Sequence, residues 1–169
     1  MHRLAPQALP GPTGESNELR LHGRGVFAFV GGPAPADELA VAVAAALLAG
    51  NAVAWVADEA TLADARGWLK ALQQAGLPAD ALRALPGSFE TLGSALVADA
   101  RLAGVCATSA RLLPRLARQL AAQDGAIVPL LGLHEAAQAQ RLYRFCAEQT
   151  LTINTAAAGG NAALLAGLH

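Results

Sequence analysis

Val26-Phe27-Ala28-Phe29-Val30-Gly31-Gly32-Pro33 is the stretch that decides the fold of this chain. Five apolar residues closed by two glycines and a proline predict a short buried strand that ends in a turn. The segment that follows, residues 35–49, is rich in alanine and ends at Gly50, which predicts a helix. A strand followed at once by a helix is the first half of a βαβ unit.

The same alternation continues along most of the chain. Further strands are predicted at residues 52–57, 82–85, 103–107 and 127–131. Further helices are predicted at residues 60–75, 90–98, 110–122 and 135–148. Alternation at this spacing indicates an α/β fold, a Rossmann-like, doubly wound and mainly parallel sheet with helices on both faces.

The two ends of the chain differ from its middle in composition and in apolar periodicity. Residues 1–19 contain prolines and glycines without an apolar period, which predicts an extended N-terminal arm or linker. Residues 20–149 hold the α/β domain. Residues 150–169 form a C-terminal tail that begins with a strand-like segment, residues 151–154.

Composition narrows the function classes. The chain has 169 residues, of which 54% are hydrophobic and 15% charged, so it is expected to fold as one globular domain. Twelve basic and thirteen acidic residues give a net charge of −1, which provides no general attraction for nucleic acid. The longest apolar run, residues 39–49, is too short to span a membrane. We expect a cytoplasmic protein without direct nucleic-acid or membrane contact. If the chain is part of a larger parent protein, as a resemblance described below implies, a parent that is peripheral at the inner membrane is the alternative.

Cysteine and histidine offer little chemistry. Cys106 and Cys146 form no CxxC or Cys/His spacing, and both are interpreted as buried packing residues rather than nucleophiles. The four histidines are scattered, which predicts no metal site; they are His2, His22, His134 and His169.

In a doubly wound sheet the loops after the strands are the places to search for a ligand. The loop at residues 31–35 lacks the GxGxxG spacing, and its two prolines remove N–H donors that a pyrophosphate would need. Thr108 or Ser109 is expected to cap the next helix through its hydroxyl, with anion binding as the alternative. Glu135 is expected to favour the positive end of the last helix. Arg111, Arg115 and Arg118 form a basic stripe, interpreted as a solvated face with an acidic partner as the alternative.

Several longer motifs resemble the aldehyde dehydrogenase superfamily, in particular the dehydrogenase module of bifunctional proline utilization A proteins. The motifs cover most of residues 25–131. They are Ala-Ala-Leu-Leu-Ala-Gly-Asn-Ala-Val at 45–53, Gln-Ala-Gly-Leu-Pro at 74–78, Leu-Pro-Gly at 85–87, Glu-Thr-Leu-Gly-Ser-Ala-Leu-Val-Ala-Asp at 90–99, Leu-Ala-Gly-Val at 102–105 and Gly-Ala-Ile-Val-Pro-Leu at 125–130.

The departures from the family fall on its functional positions. Val56 stands where the resemblance implies a lysine that holds the adenosine ribose, and Cys106-Ala107-Thr108-Ser109 stands for a Phe-Thr-Gly-Ser turn. Leu133 stands for the general-base glutamate, and the oxyanion-stabilising asparagine is replaced within residues 31–33. The resemblance with these departures predicts that the isolated domain is not an enzyme, with no catalytic, cofactor-binding or metal-binding residue.

Motifs near the two ends of the chain make the resemblance more specific. Residues 9–17 are similar to the segment that follows the dehydrogenase module in these proteins, and residues 151–165 to their C-terminal motif. The chain therefore resembles the extra C-terminal domain of their long forms. The resemblance implies a noncatalytic domain that packs against the dehydrogenase module and its β-hairpin. It also implies a lid that closes the substrate-channelling tunnel, formed by Asn154, Thr155, Ala156, Ala157, Ala158, Gly159, Gly160 and Asn161.

The parent would then be a bifunctional oxidoreductase of proline catabolism to glutamate, with FAD for proline dehydrogenase and NAD for glutamate semialdehyde dehydrogenase. No cofactor is expected in this domain itself. Two alternatives stay open: a stand-alone Rossmann-like nucleotide-binding protein, and a homo-oligomeric interaction module. A homodimer of the isolated domain also stays open.

Overall fold

The computed structural model describes residues 5–154, which form two compact units. The larger unit, Gly23–Cys146, contains a five-stranded sheet. The smaller unit combines residues 5–22 with residues 147–154.

The five-stranded sheet is parallel in every pairing that the structure describes. Its strand order is β5-β4-β3-β6-β7, so the chain winds outward from β3 in one direction and then in the other. The strands are β3 (Val26–Val30), β4 (Ala52–Ala57), β5 (Leu82–Pro86), β6 (Leu102–Ala107) and β7 (Leu130–Gly132). This confirms the predicted doubly wound α/β fold.

Of the helices in the described residues, four connect these strands: α1 (Ala36–Leu48), α2 (Leu62–Gln74), α3 (Ser94–Val97) and α4 (Leu113–Ala121). Helix α5 (Leu133–Ala136) follows β7. A π-helical turn, Phe89–Gly93, precedes α3, and a 3-10 turn, Ala110–Leu112, precedes α4. Because successive strand residues point to opposite faces, the strands supply two cores. One core joins β3, β4 and β6 to α3 and α4; its buried members are Ala28, Val30, Val56, Phe89, Val97, Leu102, Val105, Ala107 and Leu116.

The last predicted helix of the α/β domain is wrong. Where residues 135–148 were expected to be helical, α5 ends at Ala136 and a 3-10 segment covers Ala139–Phe145. Strand β8 (Cys146–Asn154) then begins. The β-branched residues at 150, 152 and 153 favour a strand, and pairing with a distant strand overrides the helix propensity of the preceding residues.

The smaller unit contains a three-stranded sheet of order β1-β2-β8. Strands β1 (Gln7–Leu9) and β2 (Glu15–Gly23) are antiparallel, with Ala8 opposite Glu18. Instead of a plain extended arm, the N-terminal segment is therefore a hairpin whose prolines lie outside the strands: Pro6 precedes β1, and Pro10 and Pro12 lie in the connection. In that connection the N–H of Glu15 donates to the carbonyl of Pro12 at 3.1 Å. The expected boundaries at residues 19 and 149 stay a prediction.

The described residues contain no candidate membrane-spanning helix. None of the helices between residues 5 and 154 has the length and apolar character needed to cross a bilayer.

Candidate functional site

The loops after β3 and β6 meet at the carboxyl edge of the sheet, where the strand order reverses. The hydroxyl of Thr108 donates to the carbonyl of Gly32 at 3.0 Å, and its N–H to the carbonyl of Val30 at 2.8 Å. Gly31 has φ +135°, and a β-carbon there would lie 2.8 Å from the backbone nitrogen of Ser109. Glycine at position 31 is therefore required for this close approach.

The predicted helix cap at this edge is wrong. Ser109 precedes the 3-10 turn at residues 110–112, but its side chain makes no capping hydrogen bond. Thr108 uses its hydroxyl to join the two loops instead. Within residues 5–154 the Ser109 hydroxyl has no hydrogen-bond partner, and it lies at the edge where open α/β sheets bind ligands.

The three arginines of the basic stripe differ in whether they form an ion pair. Arg115 makes a bidentate pair with Glu90, with nitrogen–oxygen distances of 2.6 and 3.0 Å, and lies 4.8 Å above the ring of Phe89. The hydrogen bond from Arg115 lowers the pKa of Glu90. Arg111 and Arg118 are exposed and have no hydrogen bond or ion pair within residues 5–154.

Val56 does not face the candidate ligand edge. It is 2% exposed and belongs to the core cluster that contains Phe89, Val97 and Leu116. Leu133, the other position at which a family residue is replaced, is 6% exposed and also packs in the core. Both side chains contribute apolar packing where the resemblance implies a charged group.

Glu135 forms ion pairs with two arginines of the 3-10 segment. Its Oε1 lies 3.2 Å from Nε of Arg144 and 3.7 Å from Nη1 of Arg141. The 3.2 Å approach lacks hydrogen-bond geometry, so the buried Nε of Arg144 has no hydrogen-bond partner in the described part of the chain. Glu135 thus makes ion pairs in addition to its place in the first turn of α5.

Both cysteine thiols are buried and free. Burial raises the pKa of Cys106 far above its ordinary value of 9.0, and the charge of Glu135 raises it further. Burial also raises the pKa of Cys146, whose Sγ lies 3.7 Å from the carbonyl oxygen of Leu142. Neither environment favours the thiolate that nucleophilic chemistry requires.

Two histidines lie in the described part of the chain. His134 Nδ1 is 3.0 Å from Oε1 of Glu38, which links α5 to α1, and His22 lies in β2. His2 and His169 fall outside the described residues. Between residues 5 and 154, no three His, Cys, Asp or Glu side chains are grouped closely enough to hold a metal ion.

The expected lid is described only at its first residue. Asn154 is exposed and ends β8. The remaining predicted residues, Thr155, Ala156, Ala157, Ala158, Gly159, Gly160 and Asn161, lie outside the described residues. The lid stays a prediction.

Sequence reasoning missed a pocket between the starts of α1 and α2. It has a volume of about 350 Å³, and both tryptophans of the chain, Trp55 and Trp68, line it. Their ring centroids are 5.5 Å apart. The available signal was the concentration of both tryptophans within one predicted strand–helix unit of an aromatic-poor chain.

The parallel sheet and the glycine loop at its carboxyl edge define a doubly wound α/β domain, a class that binds ligands at this edge. A family model described as "Aldehyde dehydrogenase family" matches residues 1–131, so the chain belongs to the aldehyde dehydrogenase family.

Within that family the chain is similar to bifunctional PutA proteins. It is 44% identical over 95 residues to the protein of Salmonella typhimurium and 42% identical over 95 residues to that of Escherichia coli, covering 53% of this chain and 7% of each relative. A solved structure of Proline Utilization A from Bradyrhizobium japonicum matches with 42% identity and a TM-score of 0.69, over 78% of this chain and 14% of that one. The chain thus spans a small part of these relatives.

Likeness in fold extends to more distant dehydrogenases. An NAD-dependent benzaldehyde dehydrogenase from Corynebacterium glutamicum matches with a TM-score of 0.66 at 20% identity, over 78% of this chain and 29% of that one. At this identity the match shows the fold alone.

These findings correct two expectations. The prediction that the isolated domain is not an enzyme is wrong, because the chain belongs to a dehydrogenase family whose PutA relatives are bifunctional enzymes. The prediction that the domain has no cofactor is also wrong, because membership of the aldehyde dehydrogenase family points to NAD.

Proposed function

We propose that this chain is part of a bifunctional enzyme of proline catabolism, in which it supports the dehydrogenase module and helps to close the path between two active sites. The similarity to PutA proteins supports the enzyme class. The observation that carries the supporting role is the exposed sheet β1-β2-β8, in which Cys146 is the one buried residue among the three strands as described.

A three-stranded sheet in water needs a covered apolar face for its stability. The dehydrogenase module, with its β-hairpin, would provide that cover. The small residues from Asn154 to Asn161, which include two adjacent glycines, permit the close backbone approach that a lid over a tunnel requires.

Truncation of the full-length parent tests the lid. Residues 151–169 of this chain are removed, and NADH formation is followed after addition of proline. We expect a longer lag, because pyrroline-5-carboxylate escapes before it reaches the dehydrogenase. The rate with added pyrroline-5-carboxylate is the control that separates a leaking path from a damaged dehydrogenase. Coupled kinetics identical to those of the intact enzyme would remove the proposal.

We infer further that the carboxyl edge of the five-stranded sheet contacts NAD. Ser109 and Arg111 fit the diphosphate, because neither side chain has a hydrogen bond or ion pair within residues 5–154, and both lie at the start of the 3-10 turn that follows β6 at the switch point of the sheet. Gly31 and Gly32, both at positive φ, form the tight turn that brings the loop after β3 against the loop that carries Ser109. When bound, NAD supplies the hydride acceptor of the dehydrogenase reaction.

Calorimetric titration of this chain with NAD⁺ tests that contact. Ser109→Ala and Arg111→Ala are each expected to weaken binding by about three- to tenfold, the range for one hydrogen bond or ion pair to an anion. Arg118→Ala is the matched control, because Arg118 is also exposed and without an ion pair among the described residues but lies about two turns further along. Equal loss of affinity in the control, or no binding to the unaltered chain, would refute the assignment.

A further inference from the structure

Thr108 joins the two loops at the carboxyl edge of the sheet. It is 7% exposed, and it donates two hydrogen bonds to the end of β3 and the loop that follows. Its hydroxyl donates to the carbonyl of Gly32 at 3.0 Å, and its N–H donates to the carbonyl of Val30 at 2.8 Å. This pair of bonds fixes the distance between the loops, because moving either loop away would leave buried polar groups without partners.

The two loops are closer together than a side chain at position 31 would allow. A β-carbon on Gly31 would lie 2.8 Å from the hydroxyl oxygen of Thr108 and 2.8 Å from the backbone nitrogen of Ser109. The loop after β3 therefore packs directly against Thr108 and Ser109, with no side chain of residue 31 between them.

Both loops also carry hydrogen-bond donors without a partner in the described part of the chain. Within residues 5–154, the N–H groups of Gly32 and Ser109 donate no hydrogen bond, and neither does the hydroxyl of Ser109. Gly32 and Ser109 are both partly exposed. Backbone N–H groups from two adjoining loops, together with a hydroxyl, are suitable donors to the oxygens of an anion.

Thr108 separates this chain from the family pattern at the same point. The resemblance sets residues 106–109 against a Phe-Thr-Gly-Ser turn, so it implies a glycine at position 108. A glycine has no hydroxyl and could not donate to the carbonyl of Gly32 through a side chain. The side-chain link between the two loops is therefore a feature of this sequence and not of the family pattern.

We propose that Thr108 is a positioning residue for NAD. Its hydroxyl holds the loop after β3 at the distance at which Gly32 and Ser109 donate to the same diphosphate. The inference rests on the proposed NAD contact and adds to it a residue that acts through its neighbours. The opposite role would be a steric block, in which the side chain of Thr108 fills space that the implied glycine leaves to the ligand.

Three substitutions at position 108, measured by calorimetric titration with NAD⁺, separate the two roles. Thr108→Val keeps the shape but removes the hydroxyl, and it is expected to weaken binding about three- to tenfold, the range for one hydrogen bond. Thr108→Ser keeps the hydroxyl, so its affinity should stay within about twofold of the unaltered chain. Thr108→Gly introduces the implied residue and should also weaken binding, whereas a steric block predicts tighter binding.

A matched control removes a buried hydroxyl that does not join the two loops. Thr61 is 8% exposed and donates its hydroxyl to Asp58 at 2.8 Å, between β4 and α2. Thr61→Val should lower the unfolding midpoint as Thr108→Val does, because each loses one hydrogen bond of similar burial. Its affinity for NAD⁺ should nevertheless stay within about twofold, so a loss confined to Thr108→Val is not a general effect of stability.

A double-variant cycle shows whether Thr108 acts through Ser109. In the Thr108→Val background, Ser109→Ala should weaken binding by less than about a further twofold, because the two loops no longer hold the diphosphate together. Unchanged affinity in Thr108→Val, tighter binding by Thr108→Gly, or fully additive losses would overturn the role of Thr108 and leave the NAD contact standing. Absence of NAD⁺ binding to the unaltered chain would refute the NAD contact itself, and the role of Thr108 with it.

Discussion

The side-chain amide of Asn51 donates a hydrogen bond of 2.9 Å to the backbone carbonyl of Phe145, which lies 94 residues further along the chain. The same nitrogen donates to the carbonyl of Ala46 at 3.0 Å. Its carbonyl oxygen accepts from the backbone N–H groups of Arg24 and Gly25, at 2.7 and 3.1 Å. Asn51 is 4% exposed, so one buried amide satisfies four backbone groups from three parts of the larger unit.

We expect Asn51→Ala to lower the free energy of unfolding by about 3 kcal/mol, because it leaves several buried backbone groups without partners. Asn51→Asp should also destabilise, since a carboxylate oxygen would face the carbonyls of Ala46 and Phe145. Urea unfolding measures both effects. Gln73→Ala, on an exposed position of α2, is the control and should change stability by less than about 0.5 kcal/mol.

Gly104 is required by the packing of Phe27. A β-carbon at position 104 would overlap the ring of Phe27, which is fully buried and lies 5.0 Å, between centroids, from the ring of Phe145. We expect Gly104→Ala to cost about 2–3 kcal/mol of stability through overpacking. The double variant Gly104→Ala/Phe27→Leu should lose less than the sum of its two single variants, because the shorter side chain relieves the overlap.

Gly67 is the matched control for that substitution. It lies inside α2, and a β-carbon there would meet no atom within 4 Å. Gly67→Ala is therefore expected to raise stability by about 0.5–1 kcal/mol, because alanine favours a helix and restricts the unfolded chain. Thermal unfolding midpoints that fell for both glycine substitutions would contradict the steric explanation.

Local patterns were sufficient to predict the parallel sheet. Apolar runs, helix-breaking glycines and alanine-rich segments lie within short windows, so β3, α1 and β4 appear in the structure almost at their predicted bounds. The pairing of β2 with β8 depends on segments from opposite ends of the chain, and no local window contains that information. For this reason only residues 151–154 of the strand from Cys146 were predicted. The N-terminal hairpin is local, but its residues show no clear apolar period, so the segment was predicted as an extended arm.

The same limit applied to the candidate site. The sequence showed Arg115 as one member of a stripe, but its partner Glu90 lies 25 residues earlier and meets it through the packing of α3 against α4. The contact of Trp55 with Trp68 likewise follows from the return of α2 over β4. The glycine loop after β3 was found because a turn signal after an apolar strand is local.

The buried thiol of Cys106 makes stability depend on pH in alkali. Because its pKa is raised in the folded state above the ordinary value of 9.0, the unfolded chain loses its thiol proton first as the pH rises. Stability is therefore unaffected at neutral pH and falls above about pH 9, with a limiting slope of about 1.4 kcal/mol per pH unit for this group. Urea unfolding at pH 7, 9 and 10 measures the loss.

Cys106→Val should flatten that dependence, leaving the smaller part that comes from Cys146, whose pKa is also raised. In the native protein Cys106 should react with a thiol reagent only through unfolding. If the free energy of unfolding of Cys106→Val fell with pH above 9 as steeply as that of the unaltered chain, the effect would come from other groups.

Restoring a lysine at position 56 should damage the domain. Val56 is 2% exposed within the core cluster of β3, β4, β6, α3 and α4, and Phe89 and Leu116 are members of that cluster. An ammonium group there loses hydration, so Val56→Lys is expected to cost at least about 3 kcal/mol at pH 7. Val56→Met supplies a long apolar chain without the charge and should cost less than about 2 kcal/mol.

The pH dependence of Val56→Lys separates charge burial from overpacking. Burial depresses the pKa of the lysine in the folded state, so the unfolded chain binds more protons and the deficit should shrink as the pH rises toward about 10.4. The deficit of Val56→Met should show no such recovery. Measuring both variants by urea unfolding at pH 7 and 9, relative to the unaltered chain at each pH, also cancels the alkaline contribution of the two cysteines.

A deficit of Val56→Lys that did not change with pH would show that the lysine reaches solvent at the edge of the sheet. In that case its ammonium group would be placed near the loops that we assign to NAD, and the same variant should then bind NAD⁺ more tightly.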